Sequence, residues 1–255
     1  MRVLWVCNIM LPVIAEALHR EASNKEGWLS GLLSQIVDRE DTVMTLAVAF
    51  PVPAGEEIPQ SFVVRVQGEH PACVAEATSA TEAASAPEEG GGYLVRCYGF
   101  HEDTVHPDRY QPELEEELRK ITEDYDPDVI HCFGTEYPHT LAVCRVYPHP
   151  ERILLGIQGI CSLCAEAYFA DLPERVTRKV TFRDLVKRDS LRSQQEKFVR
   201  RGVMEREAIG LAGNITGRTA WDREVTTGWN PGAKYYPMNE TLRASFYEGS
   251  WAPEH

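Results

Sequence analysis

Two stretches near the C-terminal end concentrate residues able to hold a polar ligand: Asn214-Ile215-Thr216-Gly217-Arg218-Thr219-Ala220-Trp221-Asp222 and Tyr235-Tyr236-Pro237-Met238-Asn239-Glu240-Thr241-Leu242-Arg243. Their order predicts a strand, a tight turn, a helix, a second strand and a polar loop. Ligand sites in α/β proteins lie beyond such strand ends. Thr219 can cap the helix and Asp222 can close the capping box three residues on, leaving the amides of Arg218, Thr219 and Ala220 to an anion. A well-capped helix without a ligand has the same pattern, and both readings stay open here. Five strand ends share this chemistry: Asn8, Gly134-Thr135-Glu136, Gln158-Gly159, Gly217-Arg218-Thr219 and Asn239-Glu240. Short hydrogen-bonding side chains, with glycines that let backbone amides approach, suit a polyhydroxyl ligand. Glu136, Arg218 and Glu240 are the charged members.

Other chemistries lack their signatures. No GxxxxGK[ST] phosphate loop is present, no GxGxxG follows the first strand, and GxSxG is missing, so ATP hydrolysis, ordinary NAD binding and serine hydrolysis are not indicated. His131, His139 and His149 are candidate general bases, although a histidine in a strand or turn serves equally as a structural hydrogen-bonder. Cys161 and Cys164 have CxxC spacing, which could be redox-active or half of a zinc site. With no second pair and no His-x-x-x-His partner, no metal is expected.

The chain has 255 residues, 43% hydrophobic, enough for a substantial core. No apolar run approaches the roughly 20 residues that span a bilayer, and Met1 leads straight into a strand pattern without a signal sequence, so a cytoplasmic protein is expected. The seven cysteines are scattered and fit reduced core residues better than a disulfide framework. A net charge of -13 argues against nucleic acid as a partner. That average hides an asymmetry, because residues 175–206 hold eleven Lys and Arg against four acids, a net +7 that leaves -20 for the remainder. A solvated helix face is one reading of this stretch. A phosphate-bearing substrate or an anionic membrane surface is the other.

The elements that must position the strand ends alternate regularly. Strands are expected over 2–7, 43–50, 61–67, 93–98, 129–133, 153–157 and 214–217, with a last one after Tyr235. Helices are expected from Gly27 through Ile36, over 112–125, through Leu141 and Val143, over 181–187 and 191–211, and after Thr219. The helix over 112–125 turns Leu114, Leu118 and Ile121 inward. Residues 75–92, rich in Ala, Ser, Thr, Glu and Gly, suggest a mobile surface insertion. Alternation at this spacing predicts one three-layer, Rossmann-like α/β domain over 1–255 with a mostly parallel sheet.

The residues also resemble a known family. Leu4-Trp5-Val6-Cys7-Asn8 with Leu11-Pro12, Gly27-Trp28-Leu29, Asp128-Val129-Ile130-His131 with Gly134-Thr135-Glu136-Tyr137-Pro138, Gln158-Gly159, Gly217-Arg218-Thr219 with Trp221-Asp222, and Asn239-Glu240-Thr241-Leu242-Arg243 occur in order across the chain. Together they resemble the N-terminal, acceptor-side domain of family 4 glycosyltransferases of the GT-B fold. The resemblance implies one half of that fold, and transfer of a sugar from a nucleotide-sugar to an acceptor with retention of configuration. It implies no metal and no cofactor, the nucleotide-sugar being a substrate. The loop with Asn8 and Gly27 would face the donor diphosphate. Many relatives carry two glycines where this chain has Glu26-Gly27, which sets a carboxylate beside that diphosphate. Glu136, Gln158, Gly159, Arg218, Thr219, Asn239 and Glu240 would line the acceptor side.

The same resemblance places the donor-binding domain, with its Glu-x7-Glu pair, in a C-terminal half that this chain lacks. Glu115 with Glu123 and Glu166 with Glu174 match that spacing in the wrong half, and no catalytic residue is assigned. The expected protein is therefore the acceptor-binding half of a retaining, hexosyltransferase-type enzyme of glycan or cell-envelope polysaccharide synthesis, inactive alone. Its partners would be a nucleotide-sugar, a sugar or lipid-linked acceptor, and an anionic membrane met through 175–206 at the cytoplasmic face. Two other readings compete with it: a free-standing sugar- or nucleotide-binding module, and an oxidoreductase using Cys161 and Cys164.

Overall fold

The computed structural model describes residues 1–22, 27–37, 39, 43–66, 92–242, 246–247 and 249–250. The insertion expected over 75–92 therefore lies outside the described residues except for Gly92, as do Glu26, Gln67, Arg243 and Trp251.

The described chain is a three-layer α/β domain. In order it runs β1 (Arg2–Val6), α1 (Pro12–Ala17), α2 (Gly27–Val37), β2 (Thr45–Val52), β3 (Ser61–Val66), β4 (Tyr93–His101), α3 (Glu113–Tyr125), β5 (Val129–Phe133) and α4 (Pro138–Val146). It continues through β6 (Ile153–Gly156), α5 (Cys161–Glu166), α6 (Glu174–Thr177), α7 (Phe182–Lys187), α8 (Leu191–Leu211), β7 (Asn214–Gly217), α9 (Ala220–Trp229) and β8 (Lys234–Pro237). The eight strands form one sheet in the order β3-β4-β2-β1-β5-β6-β7-β8. β3 is antiparallel to β4, and every other pairing is parallel.

The near-continuous apolar runs of β1, β2 and β5 follow from burial on both faces. On one face Leu4, Val6, Ile130 and Leu155 pack with Leu114, Leu118 and Ile121 of α3, and with Leu141 of α4 and Ile209 of α8. On the other, Trp5, Val48, Phe50 and Phe133 pack with Leu11 just ahead of α1, with Ile14 of α1 and with Leu29 and Leu33 of α2.

Some boundaries differ from the sequence expectation. The proline-containing loop after β1 holds a short helix, α1, because Pro12 pre-sets the first helical φ and Ile14 and Ala17 gain a core contact. β2 runs two residues later than expected, through Pro51, which pairs with β4 beyond Ala49, where β1 ends. β4 extends to His101 beside it. The helices α3 and α8 have the expected spans to within a residue.

Candidate functional site

The strand order reverses between β1 and β5: from β1 the chain builds outward through β2 to β4 and β3, then returns to β5 on the opposite side. Loops leaving neighbouring strands at such a switch point part in opposite directions and open a crevice at the carboxyl ends. Asn8 follows β1 there, and Gly134, Thr135 and Glu136 follow β5.

Side chains close this crevice into a connected set. Asn8 Nδ2 donates to Gln158 Oε1 at 3.4 Å, linking the loops after β1 and β6. Gly134 has φ +93, and a Cβ there would lie 2.8 Å from Glu136 Oε2 and 3.4 Å from Gln158 Oε1. Only glycine lets the chain turn here and fold the Glu136 carboxylate back over the strand end beside Gln158. The turn is fastened from below, where Thr140 Oγ1 donates to the Gly134 carbonyl at 2.8 Å and Arg201 Nε donates to the Glu136 carbonyl at 2.9 Å. Thr135 Oγ1 donates at 3.0 Å to Glu205 of α8, a buried carboxylate whose other oxygen accepts the Ser162 amide at 3.3 Å. Burial pushes the Glu205 carboxyl up to about 7 against these hydrogen bonds, and the nearby Glu136 charge adds to the rise.

Gln158 joins this set to the next strand ends. Its carbonyl accepts Arg218 Nη2 at 2.8 Å, and Arg218 Nη1 forms a 2.6 Å ion pair with Glu240. Trp28, Phe133, Gly156, Ile157, Gln158, Thr216, Gly217, Arg218, Met238 and Glu240 line a narrow cleft here. The cleft holds about 10 Å³, space for roughly one water. The Thr216 hydroxyl and the Gln158 amide nitrogen are buried without a hydrogen-bond partner among the described residues. Unmade hydrogen bonds at buried polar atoms cost on the order of 1–3 kcal/mol each, and both residues line the cleft.

The expected site residues divide. Asn8, Glu136, Gln158, Arg218 and Glu240 come together. Gly27 opens α2 directly before Trp28 of the cleft wall. Gly159 borders Gln158 with open space around its Cα, and Asn239 is an exposed neighbour of Glu240. Thr219 caps α9 and Asp222 completes the capping box, as its sequence indicated. The amides of Arg218 and Thr219, however, are not open to an anion, because both donate to Asp222 Oδ2, at 3.0 and 2.9 Å. The buried Asp222 carboxylate is itself the anion at that helix start.

Of the three histidines, only His131 lies beneath the cleft, its Nε2 placed 3.4 Å from where a Cβ on Gly156 would be. Burial lowers its pKa to about 3, so it is a neutral imidazole at neutral pH, and Nε2 has no partner among the described residues. His139 is fully buried with Nδ1 2.8 Å from Glu102 Oε2 and its amide donating to Glu102 Oε1, which makes it an anchor for the start of α4. His149 sits beside Glu151 on the surface, 3.3 Å away. Cys161 is buried, and desolvation pushes its thiol up to about 12, opposite to the shift a reactive CxxC thiol needs.

Sequence reasoning did not assign Trp28, Phe133, Thr216 or Met238 to the site. Trp28 and Phe133 read as core, and both do pack in it; the usable signal was their position, one residue from Gly27 and Gly134. Thr216 carried a signal too, as a hydroxyl in an otherwise buried strand immediately before Gly217.

No family model matches the chain, and no curated protein matches it. Among solved structures, one titled "Crystal structure of LpCGTa in complex with UDP" superposes with a TM-score of 0.37 and 14% identity. The match covers 96% of this chain and 54% of that one. The chain spans about half the length of that protein.

Proposed function

We propose that the chain is the acceptor-binding half of a glycosyltransferase of the retaining, GT-B type, working on a sugar or lipid-linked acceptor in glycan or cell-envelope polysaccharide synthesis at the cytoplasmic face of a membrane. The observation that carries this reading is the convergence of Asn8, Glu136, Gln158, Arg218 and Glu240 at the switch-point edge, next to buried and unbonded Thr216 and Gln158 groups. The family resemblance of the same segments supports it. Trp28 offers an apolar ring edge and the polar groups offer donors and acceptors in several directions, the combination that a hydroxyl-bearing ring requires.

In this proposal a nucleotide-sugar sits between the Asn8–Gly27 loop and a second domain, and the acceptor lies against Glu136, Gln158, Gly159, Arg218, Thr219, Asn239 and Glu240. Closure of the two halves brings the acceptor hydroxyl to the sugar carbon. This half alone binds but does not transfer. Arg218, held by Glu240 and the Gln158 carbonyl, swings to an anionic group of the ligand when Glu240 releases it.

A free-standing binding module is the second reading, favoured by the full assembly of the cleft within one chain. Titration of nucleotide-sugars and of candidate acceptor sugars, followed by amide shifts in NMR, separates the two. Transfer predicts weak binding with shifts at residues 134–136, 156–159 and 216–218, whereas a binding module predicts tight binding. Arg218→Ala should weaken an anionic ligand about tenfold or more; unchanged affinity sinks its assigned role.

A further inference from the structure

The cationic stretch over 175–206 divides in the structure. In α8 three of the five cations are used within the protein: Arg200 Nε donates to the buried Asp108 carboxylate at 2.8 Å, Arg201 Nε to the Glu136 carbonyl at 2.9 Å, and the Arg206 guanidinium lies 4.8 Å from the Trp229 ring centroid. Residues 172–188 are different. Six Lys and Arg there outnumber Glu174 and Asp184, a net +4 on a chain of net -13. Among the described residues, Arg175, Lys179, Lys187 and Arg188 have no acidic partner within 4.0 Å.

At the centre of this segment is α7. Phe182, Leu185 and Val186 stand at i, i+3 and i+4, which puts them on one face, and they are 82%, 67% and 69% exposed. No residue of α7 is buried. Leu172, Val176 and Val180, just ahead of it, are exposed as well. The helix is nonetheless well defined, closed at its start by the Thr181–Asp184 capping box and turned off by Arg188 at φ 51. A contiguous apolar face left in water marks an interaction surface, and its chemistry narrows the partner. Cations interleaved with Phe, Leu and Val are the pattern of a helix lying in a lipid interface, where the apolar side chains enter the acyl boundary and the cations meet phosphates. A two-fold contact with a second copy would instead set +4 against +4.

We propose that residues 172–188 form a docking face for an anionic lipid surface, with Phe182, Leu185 and Val186 inserted and Arg175, Lys179, Lys187 and Arg188 at the headgroups. The contact needs nothing of the transfer reaction, so the two can fail separately.

The test is flotation of the full chain with phosphatidylcholine vesicles, with and without phosphatidylglycerol, at low and high salt. Binding should require the anionic lipid and fall with salt. Each cation near the lipid contributes about fivefold in partitioning, so Lys179→Gln with Lys187→Gln should cost about twenty-five-fold. Phe182→Ser with Leu185→Ser should abolish binding at both salts while leaving the melting temperature unchanged, since neither side chain touches the core. The face is overturned by failure to bind anionic vesicles, by equal binding to phosphatidylcholine alone, or by variants that bind like the parent. A dimer in solution that the serine variant dissociates would overturn it too, by showing a second copy on the face. Vesicle binding lost with sugar binding intact leaves the glycosyltransferase reading standing, and the reverse result leaves the docking face standing.

Discussion

Replacing Glu205 by Gln tests how the loop that carries Glu136 is held. The carboxyl of Glu205 is buried, takes the Thr135 hydroxyl and the Ser162 amide, and has its pKa raised from 4.5 to about 7, mainly by desolvation. A carboxyl whose folded pKa lies above its unfolded one keeps its proton in the native state while the unfolded chain has lost it. Stability is then greatest below about pH 4.5 and declines as pH rises to about 7, by up to ~1.4 kcal/mol per pH unit. Across that window the loss comes to about 3 kcal/mol. The amide of a glutamine at this position would keep an acceptor oxygen for Thr135 or Ser162 but never ionises. Glu205→Gln should therefore match the parent at pH 4.5 and exceed its stability at pH 8 by about 2–3 kcal/mol. Urea unfolding followed by tryptophan fluorescence at pH 4.5, 6 and 8 reads this directly, because titration of the other groups cancels between the two proteins. A stability difference that stays constant with pH would refute the idea that Glu205 is forced to carry charge in a dry site. A variant that loses stability relative to the parent as pH rises would show that the ionised carboxylate is a net anchor of the loop.

Gly217→Ala should cost about 1–3 kcal/mol by overpacking, because its Cβ would lie 2.7 Å from the Tyr235 hydroxyl and 2.9 Å from Asp222 Cβ; an unchanged melting temperature would mean that β8 moves freely. Asp222→Ala removes the acceptor of the Arg218 and Thr219 amides and should cost about 1–2 kcal/mol, with faster amide exchange at both positions as the distinguishing readout. Alkylation at neutral pH should modify the exposed Cys164 well before Cys161, whose thiol is pushed up to about 12; rapid modification of Cys161 would revive the redox reading.

The local pattern was sufficient wherever near neighbours decide the outcome. Leu114, Leu118 and Ile121 specify the inward face of α3 by spacing alone, Thr219 and Asp222 specify the start of α9, and runs such as Val129 to Phe133 can only be buried strands. The polar residues just past those strands were legible for the same reason, since a parallel sheet sends all its carboxyl ends to one edge. What the sequence could not carry is which distant groups meet. Asp222 takes the Arg218 and Thr219 amides that an anion was expected to use, and Arg218 turns to Glu240 and to the Gln158 carbonyl, 60 residues away. Arg200 and Arg201 look like surface cations until the fold brings Asp108 and the Glu136 carbonyl to them. The helix expected over 181–187 does form, but only the fold shows that its Phe182, Leu185 and Val186 are left in water. Secondary structure follows from the energetics of a few adjacent residues. The partner of a charge depends on which strands become neighbours, and here the order β3-β4-β2-β1-β5-β6-β7-β8 set the loops of Gln158, Arg218 and Glu240 side by side.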